Sequence, residues 1–177
     1  MAELSSSELR TGSGPSSAMT AESSTPSRSI HDEVPPMEIR YSEIDLSDLR
    51  VNTLADFLVN MEADIEVLDQ GKIIYSELSF PVVELARELA AWMAKEGAEK
   101  DVADFSFSSM SFDVAGAIEI KRVPSGWVIG SVFTTEARSA PMSLGDLVDA
   151  LNQFVSRVRS DVHRLGFDPD NLVPQEL

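Results

Sequence analysis

Cysteine is missing altogether, and with it go disulfide staples, thiolate zinc sites, iron–sulfur clusters and thiol nucleophiles. Histidine occurs only at His31 and His163, so any transition-metal centre would be nearly all carboxylate. Basic residues are scarce: 14 Lys and Arg stand against 30 Asp and Glu, for a formal net charge of −16. That balance opposes attraction to nucleic-acid phosphates and anionic membranes, and points any charged partner toward a basic protein. No apolar run is long enough to span a bilayer, and the first residues lack the basic-then-apolar order of a secretory leader. The expectation is a soluble cytoplasmic protein with no cofactor, no nucleic-acid ligand and no membrane contact.

What is present is one domain's worth of apolar sequence, 43% of 177 residues, behind a polar leading stretch. Residues 1–36 are rich in serine, with Ser5, Ser6, Ser7, Ser16, Ser17, Ser23 and Ser24 in clusters. Such a composition cannot bury enough surface to offset chain entropy, so a disordered tail is expected. It would serve as a phosphorylated regulatory arm or as an extension without a specific role. The folded part is expected over 37–167, with 168–177 as a C-terminal extension.

Within 37–167, Met37, Ile39 and Tyr41 alternate with Glu38 and Arg40 in the period of a half-buried strand. Ser42 to Asp56 reads as a connection with a short helical turn. Phe57, Val59, Met61, Ala63, Ile65 and Val67 then alternate with Asn60, Glu62, Asp64 and Glu66, predicting a long strand. Asp69, Gln70 and Gly71 predict a hairpin turn in which glycine supplies a positive φ, and Lys72 to Leu78 a returning strand.

Ser79-Phe80-Pro81 punctuates a helix start, and Val82, Leu85, Ala86, Leu89, Trp92 and Met93 recur at helical spacing as far as Gly97. Phe105 and Phe107 against Met110 and Phe112 predict a strand whose facing changes at a bulge near Ser108 or Ser109. A hairpin over Ala117 to Phe133 follows, turning at Pro124-Ser125-Gly126. The last helix opens at Ser143 with Asp146 three residues on, carries an apolar stripe from Leu144 to Leu165, and stops at Gly166. The predicted fold class is α+β: an antiparallel sheet of about six strands with two helices on one face, in the order β-β-β-α-β-β-β-α.

Candidate chemistry is sparse. His163 lies near a helix C-terminus between Asp161 and Arg164, with no nucleophile in sequence to suggest general-base work. Ser106, Ser108, Ser109 and Ser111 could line a small polar pocket, yet no G-x-S-x-G elbow accompanies them. Gly116, Gly126 and Gly130 match no phosphate-binding pattern. The densest regular charge is Glu62, Asp64 and Glu66, spaced about 6 to 7 Å apart along one strand face, with Asp69 near the turn. These four acids are the candidate binding residues for a basic partner; catalytic and metal residues are none.

Phe80-Pro81-Val82-Val83-Glu84-Leu85-Ala86, the run Phe105-Ser106-Phe107-Ser108-Ser109-Met110-Ser111-Phe112, and Gly126-Trp127-Val128-Ile129-Gly130-Ser131-Val132-Phe133 resemble an uncharacterised actinobacterial family of small proteins. The resemblance spans 37–167, implies no activity and carries over no functional residue. In general build the chain is also similar to immunity proteins of bacterial toxin systems and, less closely, to acidic secretion chaperones, an analogy of fold and charge alone. Three functions follow as expectations: a non-enzymatic, immunity-type binding module with an acidic sheet surface; a small carboxylate- or serine-based enzyme; and a structural homodimer joined through a strand edge. A deep pocket gathering several acids would favour the enzyme, and a flat open acidic face the binding module.

Overall fold

The computed structural model describes residues 37–96 and 102–175; the serine-rich stretch 1–36, His31 and the helix stop expected at Gly97 lie outside the described residues. The fold is α+β. In chain order it contains β1 (Met37–Tyr41), α1 (Leu54–Asn60), β2 (Ala63–Asp69), β3 (Lys72–Phe80), α2 (Val82–Glu96), β4 (Phe105–Ser106), β5 (Glu119–Val123), β6 (Gly126–Gly130), α3 (Leu144–Arg164) and α4 (Pro169–Leu172). Instead of one sheet of about six strands, hydrogen bonding gives two antiparallel sheets of three, β1-β2-β3 and β4-β5-β6. The order gains α1 and α4 over the expected β-β-β-α-β-β-β-α.

A contact between residues distant in sequence accompanies the division. β4 stops after two residues because the serine-rich run leaves the ladder for the first turn of α2: Ser109 Oγ donates to Glu84 Oε2 at 2.5 Å, and the Met110 amide donates to Glu84 Oε1 at 3.3 Å. Glu84 is only 5% exposed, and a buried carboxylate needs such donors. The residues that satisfy it cannot also extend a strand, so a loop replaces the expected bulge at Ser108 or Ser109.

Phe57 to Met61, expected in the long strand, close α1 instead of opening β2. Thr53 caps this helix, its Oγ1 accepting the Asp56 amide at 3.2 Å. Phe57 and Met61 donate in turn to Thr53 O and Phe57 O, both at 3.1 Å. The Asp56 carboxylate then gathers the amides of Arg50 and Val51 at 3.1 and 2.9 Å and the Asn60 Nδ2 at 2.9 Å. An acid at the third helical position that also organises the preceding loop stabilises the first turn, where backbone N–H groups lack helical partners. Period-2 alternation at Phe57, Val59 and Met61 is overridden by this cap.

At the first hairpin and at α3 the sequence pattern and the fold coincide. Gln70 and Gly71, with φ of 48° and 79°, form a two-residue turn joining paired Asp69 and Lys72. That is the left-handed pair a tight hairpin needs. Ser143 caps α3 by accepting the Asp146 amide at 3.1 Å. Leu147, Leu151, Phe154, Val158 and Val162 of α3 are buried with Val82, Leu85, Ala86 and Leu89 of α2 and with Met37, Ile39 and Tyr41 of β1 in one core. α2 and α3 pack on each other, and α3 on β1.

Trp92 joins the second sheet to that core, its ring 6.0 Å from Phe105 and 6.3 Å from Trp127. At Gly126 an added Cβ would lie 2.4 Å from Met142 O, so only glycine lets Trp127 exchange hydrogen bonds with Met142. Within the expected C-terminal extension, the described residues 168–175 also pack: Leu172 and Val173 are buried, and Arg87 donates to Leu172 O at 2.9 Å. Ser131 to Phe133, expected as the end of a strand, lie beyond β6, and Phe133 is exposed.

Candidate functional site

The core lies on one side of the β1-β2-β3 sheet, and the alternation of β1 and β2 puts Glu38, Arg40, Asp64 and Glu66 on the other. Glu66 stands between Arg40 of β1 and Ser76 of β3 in register. Two shallow hollows flank this row, one lined by Arg40, Tyr41, Ser42, Asp64 and Glu66, the other by Asp64, Glu66, Ser76 and Leu78 among others. Leu78 is 73% exposed and Ile73 48%. Two large apolar side chains on a strand beside carboxylates make a mixed surface of the kind that partners cover.

The four sequence-nominated acids do not share one environment. Glu62 sits at the strand's start, bridged through its backbone to Asp45; partial burial, then Asp48 and Asp45, push its carboxyl above the usual range. Asp64 Oδ1 accepts the Ser79 amide at 3.2 Å, supporting a register shift in which Ser79 adopts a φ of 47°. Asp69 Oδ2 accepts the Ala140 amide at 3.0 Å and so ties the first hairpin to the loop before α3. The Glu66 carboxylate makes no hydrogen bond among the described residues and lies near Arg40, which is itself 2.8 Å from Glu38. The structure thus brings Asp64 and Glu66 onto one open surface, sets Glu62 at its end, and turns Asp69 to a structural task.

Sequence reasoning passed over the acids that the fold does bury. Glu119, 6% exposed, is met by Lys121 Nζ at 2.9 Å and Arg138 Nη2 at 3.0 Å. Burial pushes its carboxyl up, yet those two cations hold it below the ordinary range. Its place between Ile118 and Ile120 was the available signal. Tyr41 is likewise functional-looking but structural: its hydroxyl donates to Asp161 Oδ2 at 2.8 Å, with the Arg157 guanidinium 4.4 Å from its ring centre. Burial first, and then the Asp161 contact, raise its pKa above the usual tyrosine range.

His163 is exposed beside a shallow groove formed with Gly166, Phe167, Asp168 and Pro169, whose lining includes no hydroxyl or thiol nucleophile. Among the described residues no group of three or more His, Asp or Glu side chains is arranged to hold a metal ion. No helix of the described residues is long and apolar enough to cross a membrane.

These features define a class: a small α+β domain of two three-stranded antiparallel sheets, one of which carries Asp64 and Glu66 on the side away from the core. The chain belongs to the family described as a domain of unknown function (DUF7878), whose model matches residues 37–164. No curated protein and no solved structure matches it.

Proposed function

We propose that the protein is a binding module whose partner is a basic protein, seated on the uncovered side of the β1-β2-β3 sheet. The observation that carries this reading is the juxtaposition on one open face of Asp64 and Glu66 with the 73%-exposed Leu78. Carboxylates steer a cationic partner toward the face and discriminate against acidic ones, while a buried apolar anchor sets how long it stays. An immunity-type role, in which such a face covers a basic protein, is one form of this reading. The shallow relief favours binding over carboxylate catalysis, since the hollows beside Glu66 do not include Glu62 among the described residues that line them.

The test begins with capture of ligands on the immobilised full chain and continues by stopped flow with the purified ligand. The double variant E62K/E66K should slow association and flatten its dependence on salt, while far-ultraviolet circular dichroism stays unchanged. Replacing Leu78 with serine should speed dissociation. An association rate that the charge reversals leave intact would move the binding site elsewhere on the molecule.

A further inference from the structure

β1 is the outermost strand of its sheet, and one contact fixes which way its polar groups point. The Ser42 amide donates to Asp64 O at 2.9 Å, in the same register that sets Arg40 opposite Glu66 and Glu38 opposite Leu68. In an antiparallel ladder the N–H and C=O of one residue point to the same side, and successive residues alternate. Glu38 and Arg40 therefore bond to β2, leaving the N–H and C=O of Met37, Ile39 and Tyr41 directed outward. Arg157 Nη2 reaches Tyr41 O at 3.1 Å. Among the described residues, no hydrogen bond from that side reaches Met37 or Ile39. Beside them lies a cleft of about 220 Å³, walled on the far side by Gln153, Phe154 and Arg157 of α3. Backbone groups so placed call for a partner.

The side chains of β1 specify that partner. The strand reads Met37-Glu38-Ile39-Arg40-Tyr41. A second β1 laid antiparallel with Ile39 opposite Ile39 sets Met37 opposite Tyr41 and Glu38 opposite Arg40, once in each half. Every pair that must exchange backbone hydrogen bonds is then a pair of outward-directed residues, with Tyr41 O using its second lone pair beside the bond from Arg157. Each Glu–Arg pair falls at a closely spaced, non-bonded position, where opposite charges stabilise a sheet and like charges oppose it. Sliding the copy by two residues in either direction sets Glu38 against Glu38 or Arg40 against Arg40, and sliding it by one breaks the hydrogen-bond parity. Arg40 and Glu38 already form an ion pair within the strand, so the cross-strand pairs exchange one partner for another.

We infer that a second copy of this chain docks on β1 across a two-fold axis at Ile39, giving the continuous sheet β3-β2-β1-β1-β2-β3. The interface is isologous, as closed dimers require. It does not rest on the basic-partner reading, although it would set two acidic faces side by side. Five-residue strands bury little area, which puts the dimer in the weak, concentration-dependent class.

Sedimentation velocity of the full chain over a wide concentration range tests the inference. The wild type should pass from monomer to dimer as concentration rises. E38R sets arginine against arginine and R40E sets glutamate against glutamate, so each alone should self-associate at least about tenfold more weakly. An equal mixture of the two variants restores opposite charges at both positions and should dimerise like the wild type. The double variant E38R/R40E keeps both the in-strand pair and self-complementarity; it too should dimerise, even if a single reversal disturbs the fold. A wild type that stays monomeric throughout, a dimer indifferent to both reversals, or a double variant that fails to pair would each overturn the inference.

Discussion

Replacing Asp64 by alanine and, separately, Glu66 by alanine should give unequal losses of stability, although both side chains project from the same strand face. Asp64 Oδ1 accepts the Ser79 amide at 3.2 Å, and Ser79 holds a φ of 47° immediately before Phe80, which is fully buried. A hydrogen bond to a charged acceptor contributes about 1.5 to 3 kcal/mol when protected from water. Asp64 and Ser79 are both exposed, so water replaces part of the interaction and about 1 kcal/mol is the expected loss. For a domain of this size that corresponds to a fall of roughly 3 to 5 °C in thermal midpoint. The Glu66 carboxylate accepts no hydrogen bond from the described residues, and its removal should stay within about 0.5 kcal/mol.

A third variant checks the cause. Ser79→Gly relieves the left-handed backbone of a residue with a side chain, a conformation that costs about 1 kcal/mol outside glycine. In the D64A background it should recover most of the lost midpoint. Melting of the full chain, followed by far-ultraviolet circular dichroism, reads all of these. Equal midpoints for D64A and E66A, or no recovery with glycine at position 79, would refute the assignment of Asp64 to the register shift. If it stands, Glu66 is the cleaner position at which to probe binding.

Trp92→Ala and Phe154→Ala should each cost about 3 to 5 kcal/mol, since both rings sit in the shared core and leave large voids when truncated; urea titration measures this, and near-neutral results would mean that the helices dock otherwise. Removing residues 168–177 should lower stability by more than about 2 kcal/mol, because Leu172 and Val173 leave the core and fully burying such a side chain is worth about 1.5 to 3 kcal/mol; an unchanged urea midpoint would contradict the packing. The protein's two tyrosines, Tyr41 and Tyr75, both have raised pKa values, burial being the first cause in each case. A raised folded value means that the native state holds its proton more tightly, so the stabilisation is complete below the unfolded tyrosine value of about 10 and is lost as pH rises above it. Tyrosinate absorbance should therefore appear together with unfolding; its appearance near pH 10 in a still-folded protein would refute this.

How far the sequence carries depends on the range of the interaction. β1, the Gln70-Gly71 turn and the Ser143 cap were legible because each is written within a few neighbouring residues. α1 was not, since at seven residues it is too short for a helical period to outweigh the alternation of Phe57, Val59 and Met61. The split into two sheets depends on Glu84 meeting Ser109, 25 residues away, and no local pattern encodes that meeting. The acidic row could be seen, but not its division of labour, because whether Asp64 is free depends on the backbone angle at Ser79. Glu119 looked like any polar residue in an alternating strand until Lys121 and Arg138 were seen to surround it.

The contact between Tyr41 and Asp161 spans 120 residues, and it orders events in time. The β2-β3 and β5-β6 hairpins, closed by two-residue turns, can form within microseconds of becoming available. β1 cannot complete its packing until Phe154 and Asp161 of α3 exist. At ribosomal rates of about 5 to 20 residues per second, that interval is roughly 6 to 24 s. During it the apolar side chains of Met37, Ile39 and Tyr41 wait without their final cover, so the newborn chain presents β1 to chaperones long before α3 can claim it.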